Sequence, residues 1–164
     1  MKEPEIVDVE SKELVGISLH TSLADDKTGI LWKRFMKSKD EIKNAKSSDL
    51  YSVQVYDDGF IKGQFNSQSV FEKWAAMEVE DLSQLPERLQ GMKIPAGKYA
   101  VFVHEGTSKK FAETAQAIFG EWLPNSGYEL EDRPHFEVMG KDYKGPENPE
   151  SKEHIYIPIK PKNN

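Results

Sequence analysis

The sequence predicts an α+β protein in which one β-α-β-β unit occurs twice, the two copies forming an antiparallel sheet with both helices on one face and a cleft at the seam. Three observations predict this. Short apolar stretches alternate with polar residues at the two-residue period of half-buried strands. Two other segments space their apolar residues as helices do. The starts of those helices, Thr28 and Ser108, lie 80 positions apart (28 to 108), close to half of the 164 residues, and the same offset carries Trp74 onto His154. A repeat at that period marks a duplicated unit. The expected organisation is one domain, 1–164, with halves of about 1–82 and 83–164.

Each element follows from its residues. Leu14 to Leu19 is rich in β-favouring residues and interrupted by Gly16, which predicts a strand with a bend or bulge. Asp25, Asp26 and Thr28 can cap a helix carrying Leu31, Phe35 and Ile42 on one face, and Ser47-Ser48 ends it. Tyr51, Val53 and Val55 alternate with Ser52, Gln54 and Tyr56 as a strand. A turn at Asp57-Asp58-Gly59 and a polar loop around Gly63 to Asn66 precede the strand run Val70 to Val79. The second half repeats the order. Tyr99 to His104 is a strand, and Phe111, Ala115, Ile118 and Trp122 form a helical stripe stopped by Pro124 and Gly127. Strands at Pro134 to Met139 and His154 to Ile159 flank the loop Gly145 to Pro149. Either half alone leaves a sheet face and an edge open, and pairing the two covers them.

Composition excludes several classes. With 22 Lys+Arg against 28 Asp+Glu, the net charge of -6 argues against direct DNA binding, which draws its affinity from clustered basic residues. The basic cluster Lys33, Arg34, Lys37, Lys39, Lys43 and Lys46 reads as the wet face of the first helix. There is no Cys, hence no disulfide framework and no thiolate chemistry. No apolar run reaches the ~20 residues that cross a bilayer, and the acidic start Met1-Lys2-Glu3-Pro4-Glu5 lacks a secretory pattern. The expected location is the cytoplasm. Four His without short spacing predict no metal site, and the absence of glycine-rich phosphate loops and of a nucleophile elbow predicts no cofactor.

Alternation also assigns faces. In the last strand Ile155, Ile157 and Ile159 form the helix-facing row, leaving His154 and Tyr156 opposite. In the run before Val79 the mixed row is Glu72, Trp74, Ala76 and Glu78. One surface therefore collects Trp74, Glu78, His154 and Tyr156, away from the helices.

The motifs Ile94-Pro95-Ala96-Gly97-Lys98-Tyr99, His104-Glu105-Gly106, Trp122-Leu123-Pro124-Asn125-Ser126-Gly127-Tyr128, Arg133-Pro134-His135-Phe136-Glu137-Val138 and Ile155-Tyr156-Ile157-Pro158-Ile159-Lys160 resemble the GyrI-like family. Trp74-Ala75-Ala76-Met77-Glu78-Val79 resembles its first half. This family is the effector-binding domain of AraC-type and multidrug-responsive regulators, and it also occurs as free-standing proteins. The resemblance implies the duplicated (SHS2-type) fold and an aromatic, acidic pocket between the halves for organic, often cationic ligands. Many relatives carry a glutamate just before the final strand, where this chain has His154, with Glu153 turned to the other face. Glu78 and Glu137 stand as the alternative pocket carboxylates.

The expected function is capture of a small hydrophobic or cationic aromatic molecule by Trp74, Glu78, Glu137, His154 and Tyr156, without direct DNA binding, so that regulation needs a separate DNA-binding partner. Two other readings follow from the resemblance. One is hydrolysis of reactive, cyclopropane-type molecules, with Glu78, Glu137 or His154 as base and Tyr156 as orienter. The other is inhibition of a protein partner such as DNA gyrase, through the acidic loop Glu129, Glu131 and Asp132.

Overall fold

The structure, a computed structural model, describes residues 2–163. Its strands are β1 (Glu5–Val9), β2 (Lys12–Thr21), β3 (Leu50–Val55), β4 (Phe71–Val79), β5 (Gln90–Ile94), β6 (Gly97–Glu105), β7 (Tyr128–Leu130), β8 (His135–Met139) and β9 (Lys152–Pro161). The helices are α1 (Thr28–Ser38), α2 (Asp58–Ile61) and α3 (Phe111–Ala115), which continues through a π-helical segment (Gln116–Trp122) into α4 (Leu123–Asn125).

The antiparallel sheet runs β1-β6-β9-β8-β3-β4-β2-β5, with β7 beside the end of β9. This order reads the same from either end once the halves are exchanged, and the seam is the β8–β3 pairing in its middle. The ends are tied together as well. Glu5 pairs with Val101 and Val9 with Gly97; Lys12 pairs with Ile94 and Gly16 with Gln90. These belong to one register, so β1 with β2 and β5 with β6 are two bent strands whose mutual ladder is interrupted only at Glu10-Ser11 and Pro95-Ala96. The sheet thereby closes into a barrel-like ring.

Closure creates an inner face and an outer face, and alternation fills both. Leu14, Tyr51, Val53, Trp74, Ala76, Ile94, Tyr99 and Phe136 pack inside the ring without a helix. Outside, Leu31 and Phe35 of α1 cover Val15, Ala75, Met77 and Val79. Ile118 of the π-helical segment covers Ala100, Phe102, Ile155, Ile157 and Ile159. The duplicated architecture and the helix-facing row of β9 match the sequence reading.

Several boundaries differ for physical reasons. α1 stops at Ser38 and passes into a 3₁₀ turn, Lys39–Glu41. Ile42 nevertheless reaches the same core, because the turn carries the chain on across it. β1 and β5 escaped the sequence reading because they are five-residue strands with charged and small residues. α2 is a four-residue helix held by the Asp57 side chain, which accepts from Gly59 N–H at 2.9 Å, where the sequence predicts only turn and loop. No helix among the described residues is long and apolar enough to cross a membrane.

Gly16 is not a bulge: it sits in continuous pairing with both Ala76 and Gln90. A Cβ there would lie 2.0 Å from the Ala75 carbonyl oxygen and 2.7 Å from Ala76 Cα, both backbone atoms that cannot step aside. Gly16→Ala is therefore expected to destabilise by roughly 2 kcal/mol or more, lowering Tm by several degrees in a thermal melt. Gly127→Ala, where a new Cβ meets nothing within 4 Å, is expected to melt with the parent.

Candidate functional site

The residues that alternation placed on the helix-free surface lie on the inner face, which is packed around Trp74 and opens at the end that carries His154. Trp74 is 6% exposed and its indole N–H donates to Glu72. Tyr156 stacks on Phe136 with ring centroids 4.4 Å apart, and Tyr99 and Tyr51 close on the same Phe136 ring at 5.3 and 5.9 Å. Of the two expected cleft walls, Trp74 is thus an interior side chain, and Tyr156 is half-buried against the same ring cluster. Glu78 is not a free acidic anchor. Lys12 and Lys46 approach its carboxylate at 3.4 and 3.7 Å, and the Tyr51 hydroxyl donates to it at 3.2 Å. It already has the cations that a charged ligand would have to replace. His154, across from Val103 and Val138, is exposed.

Glu137 stands apart from these four. Phe136 and Val138 point inward, so parity sends Glu137 to the outer face. The expectation that parity aims it at the same surface as Trp74 is corrected accordingly. It pairs across the seam with Ser52 of β3 and on its other side with Ile155 of β9. It is 9% exposed, and its Oε2 is buried without a hydrogen-bond partner. Burial pushes its carboxyl up to about 7, with Lys73 and the Gln54 side chain pulling down and Glu153 pushing up.

Aromatic rings wall the outer side of the seam. Tyr56 stacks on Phe60 at 4.0 Å and meets Phe65 at 5.4 Å and Phe71 at 5.0 Å. His135, two residues before Glu137 and on the same face, contacts Tyr56 at 4.9 Å and Phe60 at 5.2 Å. From the other half Phe119 reaches Phe60 at 5.6 Å and His135 at 6.1 Å. Phe119 belongs to the π-helical segment, whose wide turn rotates neighbouring residues less about the axis. Ile118 can therefore enter the sheet core while Phe119 faces the seam. Burial drives His135 down to about 3, so it is a neutral ring at ordinary pH. Desolvation raises the Tyr56 hydroxyl, and the Glu137 charge raises it further.

The charged neighbours are few. Lys73 lies on the outer row of β4, paired with Gln54, and its Nζ donates to Thr28 Oγ1 at 3.1 Å. Glu153 of β9 pairs with His104, and burial raises its carboxyl, with His104 and Lys73 opposing. The turn of chain that set Glu153 on the face opposite His154 therefore sets it on the face of Glu137. The His104 ring is anchored by Thr114 Oγ1 at 2.7 Å and the Thr107 carbonyl at 2.9 Å.

Sequence reasoning singled out Glu137 but missed Tyr56, Phe60, Phe65, Phe71, Phe119 and His135 as its surroundings. The signal lay in the aromatics between positions 56 and 71, which polar neighbours made look like a solvated loop. A separate hollow of about 570 Å³ lies over Phe102, between the Lys2 to Pro4 stretch and Trp122, and holds none of the sequence-predicted residues.

Comparison with known proteins places these features in context. The family described as the GyrI-like small molecule binding domain matches residues 2–160. The chain is 32% identical over 154 residues to the transcriptional regulator BrlR of Pseudomonas aeruginosa, covering 94% of this chain and 54% of that protein. It is 35% identical over 79 residues to a DNA gyrase inhibitor of Erwinia billingiae, covering 46% of this chain and 50% of that protein. The chain thus spans about half the length of the curated relatives it matches. Among solved structures it is similar to SAV2435 bound to tetraphenylphosphonium, with a TM-score of 0.71, 14% identity, and 97% of this chain and 94% of that chain covered.

The buried carboxyl has a signature in stability. Its pKa rises from 4.5 in the unfolded chain to about 7 in the fold, so between those values the folded state holds the extra proton and stability falls as pH rises. His135, depressed from 6.5, costs stability on the acid side, but it is common to parent and variant and cancels in their difference. Glu137→Gln is expected to gain on the parent by on the order of 2–3 kcal/mol between pH 5 and pH 8. Urea unfolding at several pH values measures this, and a constant gap would show that the carboxyl does not titrate in that window.

Proposed function

The chain belongs to the GyrI-like small molecule binding domain family, and from that premise we propose that it captures organic cations with aromatic or other apolar groups at Glu137, on the outer side of the seam between its two halves. The carrying observation is the buried Glu137 carboxyl with one unpartnered oxygen, on the face where Tyr56, Phe60, Phe65, Phe119 and His135 pack together. A buried carboxylate without a countercharge is costly. A ligand cation supplies that charge, ring faces add ~0.5–2 kcal/mol each, and apolar ligand surface adds ~25 cal/mol per Å² removed from water. The tetraphenylphosphonium held by the structurally similar SAV2435 is a ligand of this class.

In the ligand-free fold the ring space is taken by the chain itself. α2 carries Phe60 against Tyr56, and the segment after it lays Phe65 on Phe71 at 6.0 Å. Polar contacts from that segment to the rest of the fold are few, Ala24 N–H donating to the Ser67 carbonyl; its other hydrogen bonds, such as Gln64 N–H to the Gly59 carbonyl and Asn66 N–H to Ser69 Oγ, are internal, and most of its residues are exposed. Displacing Phe60 and Phe65 exchanges ring-on-ring contacts for ring-on-ligand contacts of similar kind, so opening costs little that binding does not restore.

Isothermal titration with tetraphenylphosphonium is expected to show binding at one site per chain, at least tenfold weaker in Glu137→Gln and unchanged in Glu78→Gln. Triphenylphosphine oxide, which has similar rings and no net charge, is expected to bind at least tenfold more weakly than the cation. Equal affinity for the two, or loss of binding in Glu78→Gln alone, would move the site elsewhere.

A further inference from the structure

We propose that the unliganded site holds Glu137 in its protonated form and that an incoming cation expels this proton to solvent, making capture a one-for-one exchange of cation for proton. The proposal rests on the binding reading above and assigns it a regulation, dependence on pH.

Charge balance on the outer face carries it. The groups facing Glu137 are Ser52, Gln54 and Tyr56 from β3 and the segment after it, Lys73 from β4, His135 from β8 and Glu153 from β9, with His104 opposite Glu153 on β6. α2 and the π-helical segment add only the Phe60 and Phe119 rings. Two carboxyls, Glu137 and Glu153, thus share one ammonium, Lys73, whose charge acts on both and whose Nζ is also engaged by Thr28. Neither imidazole completes the balance at Glu137. His135 is too deeply buried to charge, and His104 acts on Glu153, its partner across the β6–β9 ladder, and not on Glu137.

Glu137 therefore has no cation of its own, and of the two carboxyls it is the more deeply buried. Its Oε2 accepts no hydrogen bond that would stabilise an anion. The same oxygen is buried from solvent, so water does not do so either. The smallest cation that fits there is a proton, and the titration of Glu137 near 7 agrees with its being held there. When an organic cation enters, the carboxyl loses its proton to water, the carboxylate pairs with the ligand, and net charge inside is unchanged. Neutral ligands leave the proton where it is.

The test is titration of the full chain with tetraphenylphosphonium at pH 6, 7 and 8, each in two buffers of different ionisation enthalpy. Close to one proton released per ligand is expected at pH 6, falling toward none at pH 8, with affinity about tenfold tighter at pH 8 than at pH 6. Lys73→Met removes the cation that holds the Glu137 titration down, so proton release is expected to persist to higher pH. Glu137→Gln is expected to bind weakly with no proton release at any pH. Binding with neither proton release nor pH dependence would overturn the exchange and leave the ligand site standing. Proton release surviving in Glu137→Gln would assign the proton to another group and overturn it too. No binding at any pH would remove the reading on which the exchange rests.

Discussion

The molecule depends on one continuous antiparallel ladder between two bent strands, β1 with β2 and β5 with β6. Glu5 to Gly16 pair with Val101 to Gln90 in a single register across the two-residue interruptions at Glu10-Ser11 and Pro95-Ala96. Without that ladder the eight-strand order would be an open sheet with two long edges, each a template for association. With it, the inner residues of both halves face one another, and Tyr51, Tyr99, Phe136 and Tyr156 meet as a ring-packed core. Gly16 lies within this ladder at a place where strands approach too closely for any side chain.

Closing the ring gives the two faces different work. The inner face is largely spent on packing, and Glu78, a carboxylate at its rim, is tied by two lysines and a tyrosine. On the outer face α1 covers β2 and β4 and the π-helical segment covers β6 and β9, with the β3–β8 seam lying between these two covers. There the fold brings together a fully buried acid and a set of rings contributed by both halves, closed over by four helical residues and a short loop. A carboxyl in such surroundings is held at the expense of stability, a compromise proteins make where a group must do chemistry or bind.

The duplication was legible because the repeat of helix starts and the parity of β4 and β9 are properties of the chain itself. The rows Ile155, Ile157, Ile159 and Trp74, Ala76 fall on the faces that alternation assigns. What alternation could not tell was which face would be filled. That depends on β1 and β5, short charged strands whose pairing partners lie in the opposite half. Glu137 was legible as an acid inside an apolar strand, while its aromatic surroundings were not. Tyr56, Phe60 and Phe65 sit among Asp, Gly, Lys, Gln and Asn in a segment with no period, and Phe119 owes its direction to a π turn that helical spacing does not foresee.

The repeat that builds the site also makes it lopsided. Across the seam Glu137 faces Ser52, and the offset of 80 that carries Trp74 onto His154 carries Lys73 onto Glu153 (73 to 153). Equivalent positions of the two halves thus bear an ammonium on one flank and a carboxylate on the other. A guest of the kind proposed above, lying over the axis of a nearly symmetric scaffold, would meet no symmetry at all: it would be held one way round, with its positive end toward the second half.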